Sequence, residues 1–403
     1  MDLPHHWRLL ALLACANVLC QDYPEEVPPP PPDYADPYAA YPLRCAPECS
    51  CPPSHPYAMY CNDRKLTSVP AVPRHIRHLY AQANAIEGLT AAPFANASAL
   101  TDVNLGHNRL RSPLVDRKAL AGLTSLLHLH LDHNELEEVP PSLPKSLQRL
   151  FLGSNKISKL SADDLHGLAD VAVLDLCNNR LTDVKGKALV VMKGLMQVSL
   201  CGNKLRSMPS ELPGSLLQLS VDHNAISSIP DGYFRKTPNL MSLRASYNKL
   251  TDVPYELFNL SSLLELNLGH NQLSSTFYVP RALQHLYLND NEFHDVNISL
   301  MCPSVNRDNP NLLTYIRIDN NRLKRALDNY VYACFPRINT IFYGEQKAEK
   351  REEAEKVEKR SQWSSSEETS PLAGQRRVNV CSVKTPAEES PCSHGGEGFK
   401  YRF

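Results

Sequence analysis

Several features that mark other classes of protein are missing from this 403-residue chain. After residue 20, no segment approaches the roughly 18 consecutive apolar residues of a membrane-spanning helix. The chain also lacks a P-loop, a GxSxG nucleophile motif and an HExxH metal-binding motif. Its formal net charge of -1 gives no electrostatic basis for binding nucleic acid. We therefore expect no membrane span, no nucleic-acid partner, no cofactor and no enzymatic activity.

One repeated frame, L-x-x-L-x-L-x-x-N-x-L, occupies most of the chain between residues 76 and 323. It occurs eleven times, and its asparagines are Asn84, Asn108, Asn134, Asn155, Asn179, Asn203, Asn224, Asn248, Asn271, Asn291 and Asn321. Their spacing of 20 to 26 residues, with a last step of 30, is typical of leucine-rich repeats except at that step. One unit cannot bury its own apolar side, so neighbouring units must stack into a solenoid.

The frame predicts an α/β-type leucine-rich-repeat solenoid. A curved parallel β-sheet forms its concave face, short 3-10, polyproline and loop segments form its convex face, and a disulfide-bonded cap covers its N-terminal end. In one unit, Leu129 and Leu131 point inward, while His128 and His130 alternate with them and point outward. The asparagine amides are expected to satisfy backbone groups where the chain bends inward, which is a structural rather than a catalytic role.

The start of the chain predicts secretion. His5, His6 and Arg8 precede an apolar run from Leu9 to Leu19, about half the length that spans a bilayer. This pattern is typical of a signal peptide, cleaved near Cys20. The predicted organisation is a signal peptide at 1–20, an acidic Tyr- and Pro-rich leader at 21–44, a cysteine-rich cap at 45–73, repeats at 74–343, and a charged, disordered tail at 344–403.

The leader allows two interpretations. Its prolines at 28–32 favour an extended polyproline conformation, and the segment has little capacity to form a packed core. It is either a solvated spacer or a site of tyrosine sulfation, because acidic residues flank its tyrosines. Sulfation would add fixed negative charge for basic partners. The candidate sulfotyrosines are Tyr23, Tyr34, Tyr38 and Tyr41.

Ten cysteines remain after the signal peptide, an even set for an oxidising compartment. The dense group Cys45, Cys49, Cys51 and Cys61 favours disulfide bonds over a zinc site. A bridge between Cys302 and Cys334 would fasten the enlarged 30-residue repeat to the terminal one, where a last strand is predicted around Ile338, Ile341 and Tyr343. The state of two further pairs is left open. Cys177 and Cys201 lie in adjacent coils about 5 Å apart and either form a disulfide or remain thiols. Cys381 and Cys392 form a bridge either with each other or with another molecule.

Three N-glycosylation sequons begin at Asn96, Asn259 and Asn297. No Ser-Gly dipeptide occurs in the chain, which argues against chondroitin or dermatan sulfate on serine. Any sulfated glycan is therefore expected on asparagine.

The outward strand positions predict a concave binding face. Its mixture of charge, amides and aromatic rings suits a protein partner better than a small molecule. A metal site at the His128–His130 pair is not expected, because no carboxylate or cysteine is obviously convergent with it. The face residues singled out are His128, His130, Arg149, Phe151, Arg244, Glu265, His285, Tyr287, Tyr315 and Arg317.

The cap and several repeat segments resemble the class II small leucine-rich proteoglycans. The resemblance rests on CAPECSCPPSHPYAMYC, VLDLCNN, SLCGNKL, SSIPDGYF, FYVPRALQHLYLNDNEF, MCPS, LTYIRIDNNRLK and CFPRINTIFYGEQ, and it covers residues 45 to 346. It implies disulfides Cys45–Cys51, Cys49–Cys61 and Cys302–Cys334, sulfated N-terminal tyrosines, and keratan sulfate on asparagine. The resemblance to family members of bone and tooth matrix further implies binding to fibrillar collagen, to mineral, and to osteoblast-like cells through an integrin.

The tail departs from those bone-matrix members, which carry a strongly acidic C-terminal segment. Residues 347–403 hold ten acidic residues against eleven basic ones. Only the leader, with five acidic residues against Arg44, keeps an acidic character and could contact mineral.

The leading hypothesis is a secreted, non-enzymatic matrix component that binds collagen and cells. The alternative is a leucine-rich-repeat ligand trap for a growth factor or a microbial product. A tight one-to-one complex that survives glycan removal would favour the trap.

Overall fold

The computed structural model describes residues 45–347. The predicted signal peptide, the leader with Tyr23, Tyr34, Tyr38 and Tyr41, and the tail from residue 348 with Cys381 and Cys392 lie outside the described residues. What was predicted for these segments stays a prediction.

The described chain forms a parallel sheet in which sequence order and spatial order coincide. Each coil contributes one three-residue strand, and each strand pairs in parallel with the next. This arrangement confirms the predicted solenoid. The thirteen strands within residues 45–347 are β1 (Ala58–Tyr60), β2 (His78–Tyr80), β3 (Asp102–Asn104), β4 (His128–His130), β5 (Arg149–Phe151), β6 (Val173–Asp175), β7 (Gln197–Ser199), β8 (Gln218–Ser220), β9 (Ser242–Arg244), β10 (Glu265–Asn267), β11 (His285–Tyr287), β12 (Tyr315–Arg317) and β13 (Thr340–Phe342).

The central residue of each strand from β1 to β12 points into the core. Leu79, Val103, Leu129 and Leu150 lie opposite one another in register and are fully buried. Their neighbours on each strand face outward and are partly exposed, because successive strand side chains point to opposite faces. Stacked leucines therefore form one core that runs through all the coils.

The convex side carries short helices instead of strands. Phenylalanines also line the core there: the Phe234 ring lies 6.3 Å from Phe258, which lies 5.3 Å from Phe277. The 3-10 helices of the described chain are Ala92–Phe94, Ser112–Leu114 and Tyr233–Lys236, and its α-helices are α1 (Ile298–Met301) and α2 (Tyr330–Cys334).

The repeated asparagines form the predicted ladder of buried amides. Asn155, which is 7% exposed, donates through Nδ2 to the carbonyl oxygens of Leu131 (2.9 Å), Leu152 (3.1 Å) and Gly153 (3.1 Å). Its Oδ1 accepts from the backbone N–H of Leu136 at 3.0 Å. Leu131 and Leu136 belong to the preceding coil, so the amide joins two coils as well as closing its own bend.

The residue before each ladder asparagine adopts a left-handed backbone conformation. Only Gly202 among the eleven is a glycine. The others, with φ between 52° and 57°, are Ala83, His107, His133, Ser154, Asn178, His223, Tyr247, His270, Asp290 and Asn320. This conformation is unfavourable for most L-residues, so it needs support from surrounding contacts. The asparagine hydrogen bonds supply that support.

Two disulfides hold the N-terminal cap. They join Cys45 to Cys51 and Cys49 to Cys61, which is the pairing that the family resemblance implied. Ser50 forms an antiparallel bridge to Tyr60 at the end of β1, and β1 pairs in parallel with β2. The cap therefore extends the sheet while covering its first apolar coil.

The C-terminal end has the predicted last strand but not the expected disulfide. Strand β13 contains Ile341 and pairs with β12. Cys302 and Cys334 are buried, unbonded thiols. The Cys334 sulfur lies 3.5 Å from the carbonyl oxygen of Cys302, whose own sulfur lies 3.8 Å from the carbonyl oxygen of Ser304. Each sulfur thus contacts a backbone carbonyl, and burial raises the pKa of the Cys334 thiol to about 12.

The ladder predicts a large cost for removing one amide. We expect Asn155→Ala to lower the free energy of unfolding by about 3 kcal/mol or more, because one N–H and three carbonyl groups lose a buried partner. Exposed Asn239 provides the control, and Asn239→Ala should cost less than about 0.5 kcal/mol. Urea unfolding followed by circular dichroism measures both, and equal losses would contradict a structural role for the ladder.

Candidate functional site: the concave face

The concave face consists of the first and third residues of the strands. The ten face residues selected from sequence all lie at these positions on β4, β5, β9, β10, β11 and β12. Nine of them are partly exposed, and His285 is exposed. The alternation of the repeat therefore brings together side chains that are far apart in sequence.

A histidine–aspartate row crosses the first coils of this face. Asp102 on β3 lies between two histidines: its Oδ2 is 3.0 Å from His78 Nδ1, and its Oδ1 is 2.5 Å from His128 Nδ1. The expectation that no carboxylate converges on His128 was therefore wrong. Asp102 is 26 residues from His128 in sequence but directly opposite it in the sheet.

The Asp102 carboxylate is held in its ionised form. Burial raises its pKa, but hydrogen bonds from Thr101 and His128, together with the charges of His128 and His78, outweigh that effect and lower the pKa below its usual range. The carboxylate is engaged by both histidine rings, so the row fits an ion-pair network on the face.

An aromatic and cationic cluster lies beside this row. The His130 ring stacks on Phe151 with centroids 4.3 Å apart. Burial lowers the pKa of His130, although the charge of Asp132 acts in the opposite direction. Arg149 lies next to His128 in the sheet, and no acidic residue within 45–347 forms an ion pair with it. This cluster combines a stacked ring with a partly exposed guanidinium that has no acidic partner in the described chain.

A disulfide and an ion pair form the centre of the face. Cys177 and Cys201, left open by the sequence, are disulfide-bonded with their alpha carbons 4.5 Å apart. Arg244 contacts Glu265 through two nitrogens, at 3.0 and 2.9 Å. Between them lies an open depression of about 420 Å³. Beside the disulfide, burial raises the pKa of Asp175, although the backbone N–H of Cys177 lowers it.

Tyrosines and an arginine form the C-terminal part of the face. The Tyr315 ring lies 5.4 Å from Tyr287 and 6.3 Å from His285. Arg317 donates two hydrogen bonds to Asp319, at 2.8 and 3.1 Å, and lies over the Phe342 ring at 5.4 Å. Amphipathic rings of this kind are frequent at protein interfaces.

The three sequon asparagines lie outside the strands and are exposed. Asn96 follows the 3-10 helix Ala92–Phe94, and Asn259 precedes β10. Asn297 also caps α1, because its Oδ1 accepts from the backbone N–H of Leu300 at 3.2 Å. The Nδ2 atom that carries a glycan is not the capping atom, so a glycan at Asn297 is compatible with the cap.

One cluster was missed in the sequence. His107, Asp132 and His133 lie at the end of adjacent strands, just beyond the face positions. A signal for it existed, since His107 and His133 both directly precede a ladder asparagine in consecutive frames. The strand alternation includes His128 and His130 but does not extend to this cluster, which lies beyond the strands.

Comparison with known proteins agrees with this fold. The family model for leucine rich repeats matches residues 74–136 and 214–273. Osteomodulin of Bos taurus is 50% identical over 318 residues, which are 78% of this chain and 75% of that protein. Osteomodulin of Rattus norvegicus is 49% identical over 318 residues, again 78% of this chain and 75% of that protein. Keratocan of Bos taurus is 38% identical over 309 residues, 74% of this chain and 88% of that protein.

Solved structures show the same architecture. A chain of an octameric complex of Latrophilin 3, Unc5D and FLRT2 has a TM-score of 0.57 and 27% identity, covering 73% of this chain and 82% of that one. A leucine-rich-repeat protein of Leptospira interrogans has a TM-score of 0.51 and 24% identity, covering 67% and 73%, which supports the fold alone.

The fold defines a leucine-rich-repeat solenoid protein. With half of its aligned residues identical to osteomodulin and its N-terminal disulfides in place, the chain belongs to the class II small leucine-rich proteoglycans. Its relatives are proteoglycans of the extracellular matrix and not enzymes. Within residues 45–347 no helix has the length and apolar character needed to cross a membrane.

The Asp102 network predicts a pH-dependent contribution to stability. Because its folded pKa is lowered, the stabilisation is present above the usual aspartate pKa of about 4 and is lost as the pH falls through the folded value. We expect Asp102→Asn to cost less than about 1 kcal/mol at pH 7, since the group is partly exposed, and less still at pH 2. Urea unfolding across this range, with exposed Asp252→Asn as control, measures the difference. A gap that persists unchanged at pH 2 would contradict the ion-pair role.

At Asn297, the effect of losing the glycan can be measured separately from the effect of losing the helix cap. We expect Ser299→Ala and Asn297→Gln to lose the same glycan mass, because each destroys the acceptor sequence. Only Asn297→Gln also loses the hydrogen bond to Leu300, which costs about 1 kcal/mol. Mass spectrometry and thermal unfolding measure the two effects. Unchanged mass in both variants would mean that Asn297 carries no glycan.

Proposed function

We propose that this chain is a secreted keratan sulfate proteoglycan that binds fibrillar collagen and cells in bone or tooth matrix. The concave face is the docking surface, and the cells attach through an integrin. The observation that carries the proposal is the 50% identity to osteomodulin over 78% of this chain. The acidic leader supplies a contact with mineral.

The chemistry of the face supports a protein partner. Arginine and aromatic side chains contribute most to the energy of protein interfaces, particularly where they cluster. Phe151 and Arg149 cluster on β5, and Tyr287 and Tyr315 cluster on β11 and β12. Arg244 and Arg317 are held by carboxylates of the same molecule, whereas Arg149 has no acidic partner among residues 45–347. Arg149 is therefore the cation best suited to meet a carboxylate of the partner.

The distribution of sequons supports the same surface. Asn96, Asn259 and Asn297 are exposed and lie on the loops between strands. Sulfated chains at these positions would be attached outside the strands that form the face. Glycans and docking surface can then act together, with the glycans supplying negative charge.

Imaging of collagen fibrils grown with and without the purified full-length protein tests the proposal. We expect the protein to bind the fibrils and change their diameter at physiological salt, and to support attachment of osteoblast-like cells. Protein that bound neither fibrils nor cells would overturn the proposal. A tight one-to-one complex with a growth factor or microbial product, retained after glycan removal, would favour the ligand-trap alternative.

A single substitution tests the docking surface. We expect Arg149→Ala to weaken collagen binding about tenfold, the effect of losing roughly 1.4 kcal/mol at an interface anchor. Arg206→Ala is the matched control, because Arg206 is exposed and lies outside the strands. Equal affinities of the two variants in a fibril-binding assay would exclude this part of the face.

A further inference from the structure

Two histidines stack at the end of strands β3 and β4. His107 and His133 each precede a ladder asparagine, each has a left-handed backbone with φ of 52°, and each is exposed. Identical backbone geometry in adjacent coils points both side chains the same way. Their rings therefore lie nearly parallel, with centroids 4.1 Å apart and planes 10° from each other.

The carboxylate of Asp132 completes a group of three. One ligand atom from each of His107, Asp132 and His133 lies within 4.8 Å of the other two. The coils are also joined at this point, because the backbone N–H of His107 donates to the carbonyl oxygen of Asp132 at 3.0 Å. Gly106 leaves room for the carboxylate, since a Cβ there would lie 3.2 Å from Asp132 Oδ2.

We propose that His107, Asp132 and His133 bind a zinc ion. Zinc–nitrogen bonds are about 2.0–2.1 Å long, so two nitrogens on one tetrahedral ion are about 3.3 Å apart. The histidine side chains are exposed, so their rings can rotate out of the stacked arrangement until one nitrogen of each ring points at the ion, while the ladder holds the backbone in place. Water occupies the fourth position.

The donor set determines which metal fits. Two imidazole nitrogens and one carboxylate oxygen suit zinc, whereas calcium and magnesium require mostly oxygen ligands. The site is therefore separate from any contact with calcium mineral, which we assign to the acidic leader.

The same chain contains a matched position without the third ligand. Asp222 and His223 directly precede the ladder residue Asn224, just as Asp132 and His133 directly precede Asn134. The ring stacked on His223 is Tyr247, at 4.1 Å, instead of a histidine. The Asp222 carboxylate accepts from the backbone N–H and hydroxyl of Ser246, at 2.7 and 2.6 Å. This pair lacks a second imidazole, and its carboxylate is already engaged.

Isothermal titration of the full-length protein with zinc chloride tests the site. The protein is made without a histidine tag and is first stripped with a chelator. We expect one zinc ion to bind at these residues, and His107→Gln and His133→Gln each to lower its affinity at least about tenfold. Asp132→Asn should also weaken it, whereas His223→Gln should leave it unchanged. Calcium and magnesium chloride should neither bind there nor displace the zinc.

A second measurement separates ligand loss from unfolding. Zinc should raise the thermal unfolding temperature of the unsubstituted protein and of His223→Gln, but not that of His107→Gln or His133→Gln. The metal-free variants should unfold at the same temperature as the metal-free parent, since both side chains are exposed. Absence of zinc binding, or equal binding by His133→Gln and His223→Gln, would overturn the proposal.

Discussion

The hydrogen bonds of the ladder asparagines are the constraint on which the rest of the structure depends. Each strand has only three residues, too few to fix the direction of a coil alone. After each strand a residue enters the left-handed region, at a cost of roughly 1 kcal/mol for most residues. The side-chain amide of the asparagine that follows donates hydrogen bonds to carbonyl oxygens of its own coil and of the preceding coil. One side chain therefore holds the bend, sets the spacing between coils and satisfies buried backbone groups.

This constraint also determines what the outer surface can do. Because the ladder repeats the same backbone in every coil, equivalent residues lie opposite one another across the sheet. Side chains from different repeats then meet as rows: Asp102 meets two histidines, Arg244 meets Glu265, and His130 meets Phe151. The leucines and asparagines thus hold the scaffold, while the outward positions carry different side chains from one coil to the next.

Much of this was predictable from the repeat, because the period of the leucines and asparagines determines which side chains are buried. The strands, the outward positions and the last strand near Ile341 follow from that period alone. The contacts between repeats do not, because the period places equivalent residues opposite each other but does not give the side-chain rotamers that decide which atoms meet. Asp102 beside His128 and the stacked pair His107 and His133 are of this kind. The Cys302–Cys334 bridge was expected from resemblance, yet the two sulfurs contact carbonyl oxygens.

The distribution of charge partners across the face separates residues that stabilise it from residues that are available to a partner. A carboxylate already held by two histidines, or an arginine held by two hydrogen bonds, would have to break those contacts before meeting another molecule. Such groups preserve the shape of the face. Arg149 would break no ion pair with an acidic residue of the described chain on meeting a partner. The adjacent Phe151 ring is already held by stacking on His130. Both side chains therefore lose little conformational freedom on binding a partner, which supports the proposal that the β4–β5 region makes the first contact rather than the more strongly paired centre.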